Sequence, residues 1–328
     1  SSRRGRNRHQ DGRSRAKIGV MTFPGATPGE RGFMTPINIR FTRFSAFYSP
    51  LIMAIAGGFL EDEGLAPTHG TAAPGTSAIA GLLDGSVQVA QSAVSQGFAP
   101  LERGETPAAA HFAQINEMDG FMLVGHDPDP EFTWAKLAGK RVIVDHGGQP
   151  MAMFKYACHR SGLDFARIDA VDAGGSNAMI EAFRAGEGDY VHLQGPAPQQ
   201  IERDGAGHIV TALGPAIGAC AFSSLAATPE WLAGEQAPAF MRAYAKARVH
   251  LIDAPAAEIA RAEQSFFPDV HPEALTRAIA FYQGLGNWSR HVEITRPAFE
   301  ASLDIFLHAG RITRRHDYDA LVVAPPKG

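Results

Sequence analysis

The chain has 328 residues, 45% hydrophobic and 20% charged, an ordinary composition for a folded protein with room for two domains and two cores. No stretch approaches the roughly 18 apolar residues of a membrane-spanning helix, and the two cysteines, Cys158 and Cys220, stand far apart with no CxxC. Charge is uneven: residues 1–17 hold six arginines, one lysine and one aspartate, a net of +6 that leaves −10 on an acidic remainder offering no nucleic-acid surface.

The basic run reads as a disordered tail, and the Gly- and Pro-rich residues 24–32 as a linker, so residues 1–36 stand outside the fold. No apolar stretch follows Arg3-Arg4, as a twin-arginine export signal requires. Ile37–Phe41 alternates like a strand. Ser45–Pro50 is a loop with Pro50 near a helix start, and residues 51–60 form a helix closed by the acidic turn and Gly64. A helix over 76–83 and a strand over 87–90 follow, then two strands, 108–114 and 120–124, that look like a pair. Residues 134–140 open a second region with a strand over 141–144. The glycine loop Gly147-Gly148-Gln149-Pro150 runs into a helix over 151–161. A strand over 168–171 leads through Gly174-Gly175-Ser176-Asn177 into another helix. After Ala221 the chain turns almost wholly helical, with amphipathic segments over 238–252, 256–266, 272–285 and 297–309 and Gly310 as final cap.

One pattern occurs twice, about a hundred residues apart. Residues 78–92 and 178–195 each read as a helix, a glycine stop (Gly85, Gly186), then a short buried strand ending in small polar residues. Duplication at that spacing predicts two similar α/β lobes with a ligand cleft between them, at the carboxyl ends of the strands.

Phe44 to Leu65, FSAFYSPLIMAIAGGFLEDEGL, resembles the opening of type II periplasmic solute-binding proteins of ABC importers, in particular the nitrate/sulfonate/taurine and thiamine-pyrimidine precursor group. Further matches are Leu137-Ala138-Gly139-Lys140-Arg141-Val142, the run from Ala182 to Asp189, Ala226-Ala227-Thr228-Pro229-Glu230 and Ala309-Gly310-Arg311-Ile312, so the resemblance covers residues 37–322. It implies an α/β, two-lobed type II periplasmic-binding-protein fold. Each lobe is then a mixed sheet flanked by helices, joined by a two-crossover hinge and followed by a helical C-terminal region. Lobe one is expected over 37–124 and 222–328, and lobe two over 125–221, with crossovers near Val124 and Ala221. Hinge closure traps the ligand for a membrane ABC permease. The implied protein is monomeric, periplasmic and not an enzyme; a cytoplasmic location is the alternative, as no signal peptide is visible in this chain.

Loop position selects the candidate ligand contacts: Ser45, Phe47, Tyr48 and Ser49 after the first strand; Gln91, Ser92 and Ser95 after the first repeat; Gly147, Gly148 and Gln149 at a helix start, where backbone N–H groups favour an anion; Asn177, first an N-cap and second a contact; and His192, Gln194 and Gly195 after the second repeat. One of Phe47 and Tyr48 is expected to stack on a ring and the other to be core. These loops hold no arginine or lysine, so a bidentate guanidinium clamp is not expected. No metal-ligand spacing and no cofactor motif is present. The ligand is then a small organic anion, a sulfonate or carboxylate, or a pyrimidine-like heteroaromatic. The alternative is a cytosolic enzyme on the same fold, a pyrimidine-precursor synthase or small decarboxylase. The synthase resemblance brings a lysine, a consumed histidine and a cysteine cluster, and residues 90–100 contain neither lysine nor histidine.

Overall fold

The computed structural model describes residues 34–73 and 76–327. The basic tail and its linker lie outside the described residues. The first strand, β1 (Thr35–Phe41), buries Ile37, Ile39 and Phe41 on one face. After a 3₁₀ turn over Ala46–Tyr48, capped by Ser45, the buried helix α1 (Ser49–Ala56) begins with Pro50 in its first turn. The expected helix over 51–60 is in fact two, because Gly58 takes φ 75° and starts α2 (Phe59–Asp62) in a new direction. A strand missed in the sequence, β2 (Leu65–Thr71), pairs parallel to β1. Helix α3 (Ala80–Leu83) is half the expected length, and β3 (Val89–Ser92) begins two residues later than expected. Helix α4 (Phe98–Glu102) and β4 (Ala110–Asn116) follow.

The chain then changes sheets. Strand β5 (Phe121–Gly125) does not pair with β4 at all: β4 pairs with a later strand, β10 (Ser223–Ala227), while β5 lies antiparallel to β8 (Tyr190–Gln194) and beside β9 (His208–Ala212). Alternating apolar residues mark a strand but not its partner. The first crossing therefore falls at residues 117–120 rather than after Val124, and residues 121–124 join the second sheet. That sheet adds β6 (Arg141–Ile143) and β7 (Asp169–Val171), with helices α5 (Gly148–Arg160), α6 (Ser176–Arg184), α7 (Ala197–Arg203) and α8 (Gly214–Ile217). The return crossing lies between β9 and β10.

The two sheets have matching order, β2-β1-β3-β10-β4 and β7-β6-β8-β5-β9. In each, three parallel strands are followed by an antiparallel strand that the chain supplies just after crossing over. The repeated strands β3 and β8 are both the central strand, and the caps before them, Gly85 and Gly186, have φ of 77° and 78°. Helices α9 (Pro229–Leu232), α10 (Gln236–Asp253), α11 (Ala256–Glu263), α12 (Pro272–Leu285) and α13 (Arg296–His308) complete the chain. Gly310, at φ 65°, closes the last of them.

The first crossing carries a buried acid. Asp119 is 0% exposed; its Oδ1 accepts the Phe121 N–H at 2.6 Å, while Oδ2 has no partner among the described residues. Burial pushes its carboxyl up to about 7. The unfolded chain loses this proton near pH 4 and the folded chain near 7, so its contribution to stability is whole in acid and is lost as pH rises through that window. Asp119→Asn should remove up to about 1.4 kcal/mol per pH unit of that slope. Urea midpoints of both proteins from pH 4.5 to 8 check this; parallel curves would show that Asp119 is ionised throughout.

Candidate functional site

The parallel strands β1, β3, β6 and β8 direct their carboxyl ends toward one cavity of about 530 Å³ between the two sheets. This is where open α/β sheets place ligands. Thr42 and Arg43 enter from the end of β1, Gln91 and Ser92 from β3, Gln194 from β8, and Gly147 to Pro150 from the start of α5. The two crossings supply its aromatic walls, Phe121 and Phe222, and Tyr48 adds a third ring.

The polar groups divide into engaged and free. Gln91 Oε1 accepts the Thr42 N–H at 2.9 Å, and Gln149 Nε2 donates to the Phe222 carbonyl at 2.7 Å. Ser92 Oγ and Gln194 Oε1 have no partner among the described residues, although these residues are only 3% and 8% exposed. Buried polar atoms are nearly always paired, so Ser92 and Gln194, one from each sheet, bring to the cavity two groups whose partners lie outside the described residues. Helix α5 opens at the same wall with Gly147 as N-cap, and Gly148 leaves open space where a Cβ would stand. Its first backbone N–H groups carry the positive end of a 13-residue helix.

Arg43 is the one charged side chain among the described residues lining the cavity. Its Nη1 reaches across the sheets to Asp145 Oδ2 at 2.9 Å and to Ser176 Oγ at 3.4 Å. Burial alone would raise the Asp145 carboxyl, yet the Arg43 guanidinium and the Gly147 N–H hold it below the ordinary range. The candidate loops hold no arginine or lysine, yet a guanidinium stands at the cleft, brought there by Arg43 from outside them. Arg43 sits two residues past the end of β1, just ahead of the loop taken to form the site.

Half of the residues picked out by sequence line this cavity: Tyr48, Gln91, Ser92, Gly147, Gly148, Gln149 and Gln194. Ser95 is half-buried and donates across the sheets to Gln149 Oε1 at 2.5 Å. The others lie elsewhere. Phe47 is core, edge-on to Phe222, so of the two rings it is Tyr48 that reaches the cavity. Ser49 is buried, its hydroxyl within donating distance of Glu263 Oε2 at 2.6 Å and of the Ala46 carbonyl at 2.8 Å. Burial raises the Glu263 carboxyl well above its ordinary value, against the Ser49 hydrogen bond, which lowers it. His192 lies beneath Phe121, ring centroids 4.2 Å apart, and burial pushes it down to about 3, so it stays neutral and out of reach. Ser45 caps the turn before α1 and donates to the Gly195 carbonyl at 2.7 Å. Asn177 is not the N-cap of α6, a position held by Gly175; with Ser45 and Gly195 it borders a neighbouring chamber.

Sequence reading missed Thr42, Arg43, Thr76, Ser77, Gln96, Phe121, Phe222 and Ser223. Phe121 and Phe222 were findable, since Phe121 opens β5 and Phe222 directly precedes β10, the strands that follow the two crossings. Both thiols are free and buried; burial pushes Cys158 up to about 12 and raises Cys220, so neither offers a nucleophilic thiolate.

A two-lobed α/β fold with a polar-rimmed cleft at its strand ends defines a protein of the periplasmic-binding-protein fold. More narrowly, the chain belongs to the NMT1/THI5-like family, whose model matches residues 46–258. The YtlA protein of Bacillus subtilis (strain 168) is 26% identical over 293 residues, 88% of each chain. Among solved structures, the ligand-binding component of an ABC-type import system from Staphylococcus aureus superposes with a TM-score of 0.70 at 13% identity, covering 89% of this chain and 98% of that one. The periplasmic aliphatic sulphonate binding protein SsuA from Escherichia coli gives 0.69 at 14% identity, covering 88% and 97%. At such identities the structural likenesses establish the shared fold.

Gly148 is the first residue of α5 rather than part of a loop ahead of it, and its φ lies outside the left-handed region. Gly148→Val therefore meets no backbone strain, and the fold should hold within about 1 kcal/mol. The added methyls would project over the helix start and should abolish ligand binding. Calorimetric titration, with circular dichroism for folding, checks this; wild-type affinity in the folded variant removes the α5 terminus from the site.

Proposed function

We propose that this protein is the ligand-binding component of an ABC-type importer and holds a small organic anion between its lobes. The observation that carries the reading is the cavity's charge pattern. Arg43 is joined there by the α5 N-terminus and the orphaned Ser92 hydroxyl, with no carboxylate among the described lining residues. Helix N-terminal N–H groups and a guanidinium with free nitrogens together favour a sulfonate or carboxylate over a neutral pyrimidine. The rings of Tyr48, Phe121 and Phe222 suit an apolar body on that anion. Family membership and the fold shared with an import-system component and a sulphonate-binding protein support the same reading. It implies a membrane permease as partner, a location outside the cytoplasm, a monomeric carrier and release of the ligand unchanged.

Lobe closure fits the interactions that span the cleft, Arg43 with Asp145 and Ser95 with Gln149. A ligand that recruits both sides should favour the closed form, and small-angle scattering should give a smaller radius of gyration on binding.

A thermal-shift screen of short sulfonates, aromatic carboxylates and aminopyrimidines tests the ligand class. A true ligand at one hundred times its dissociation constant adds about 2.7 kcal/mol of stability. Arg43→Ala should weaken anion binding roughly ten- to a hundredfold, the range for a charged hydrogen bond. Asp145→Asn, which removes the competing carboxylate while keeping an acceptor, should tighten it. Anion affinity unchanged in both variants, or stabilisation by pyrimidines alone, would reject the anion reading.

A further inference from the structure

A second chamber of about 300 Å³ lies on the other side of Arg43. We propose that it receives the apolar tail of the same ligand, so that the protein selects organic anions carrying an alkyl or aryl extension. The inference rests on the anion reading above and adds an extension of the ligand's apolar part beyond the three rings of the first cavity.

The two chambers share Arg43 and Gln194. Among the described residues Arg43 makes side-chain hydrogen bonds through Nη1 only, leaving Nε and Nη2 for an anion at the junction. Gln194, 8% exposed, also lines both chambers; its unpartnered Oε1 is an acceptor and calls for a donor rather than for the anion itself. Beyond the junction the wall changes character: Phe44, Ile180, Leu193, Ile201, Phe267 and Val270 supply apolar surface from both lobes.

Three of the other polar groups on that wall are engaged. The Arg184 guanidinium holds Asp204 at 2.6 Å. Gln200 donates to Asp204 at 2.8 Å and accepts the His271 N–H at 2.9 Å. Ser45 is committed to the Gly195 carbonyl. Besides Gln194, Asn177 and Asp269, both exposed, are the lining side chains without a hydrogen bond among the described residues, and the Asp269 carboxylate would repel an anionic headgroup here. An apolar group would displace water from aliphatic and aromatic surface. Charge at the junction and apolar walls beyond it describe an amphiphilic monoanion.

The test is a chain-length series of n-alkanesulfonates and matching n-alkanoates, from one carbon to eight and below micellar concentrations, titrated into the full chain by calorimetry. In the wild type, affinity should rise about fourfold per methylene, equivalent to ~0.8 kcal/mol, until the chamber fills. Ile180→Trp on α6 and Val270→Trp from the opposing lobe each fill the chamber. In whichever folds by circular dichroism, the short anions should bind as in wild type and the gain with length should vanish. A flat series in the wild type, with short anions still bound, overturns the second-chamber proposal and leaves the anion reading standing. A gain with length that survives in a folded variant also overturns it. Failure of every anion to bind overturns both.

Discussion

The hydroxyl of Tyr282 is the point at which the two sheets are tied together. It accepts the Gly195 N–H at 2.8 Å and donates to the Gly120 carbonyl at 2.9 Å, joining the end of β8, the first crossing and helix α12. The Gly195 carbonyl in turn accepts from the Ala46 N–H at 3.1 Å and from Ser45 Oγ at 2.7 Å. A single hydroxyl has one hydrogen to give, and here both its donor and its acceptor capacity are used at full burial, where leaving either unmet is expensive. Gly195 keeps this approach uncrowded: a Cβ there would lie 3.1 Å from both the Tyr282 ring and Gln199 Oε1, so both would have to shift slightly. Because Gln194 and Ser45 flank this knot, the walls of both chambers take their spacing from it.

The site is electrically economical. Arg43 is balanced by Asp145, and Arg184 in the second chamber by Asp204, while Asp269, which also lines that chamber, has no ion-pair partner among the described residues. For the anion proposed above, what remains to attract it is the geometry of free N–H groups rather than a net positive field. Such a site favours an ion of a given shape over anions in general. His192 behind Phe121 adds bulk without charge, since burial keeps its ring neutral.

How far the sequence could be read follows from which signals are local. Helix α12 is delimited by Pro272 and Gly286 and was placed to the residue, because both ends are written into the chain itself. The doubled unit was visible for the same reason: Gly85 and Gly186 must adopt left-handed backbone wherever the chain goes. Pairing was not visible. Residues 110–116 and 121–125 look like neighbours in sequence and belong to different sheets, and β10, small and polar as Ser-Ser-Leu-Ala-Ala, carries no strand signature beyond its burial. At the site, Ser92 and Gln194 could be placed because they end repeated strands. Ser49 could not, because its partner Glu263 is 214 residues away. Arg43 was passed over since its function comes from Asp145, about a hundred residues later, and nothing near it in sequence announces that contact.

The exchange of strands between sheets has a consequence for how this chain comes to be folded at all. Strand β10 sits between β3 and β4, so the first sheet has a gap in its middle until residues 223–227 have arrived. By then the whole second sheet has been traversed. Until that insertion β3 and β4 each present an unpaired edge, the surface from which strand-mediated association starts. The first sheet is thus closed only by contacts of long sequence separation, the kind that form late and slowly. Assembly is ordered by topology: the lobe that begins first in the chain is completed last, and a chain broken off anywhere before β10 contains no finished first lobe.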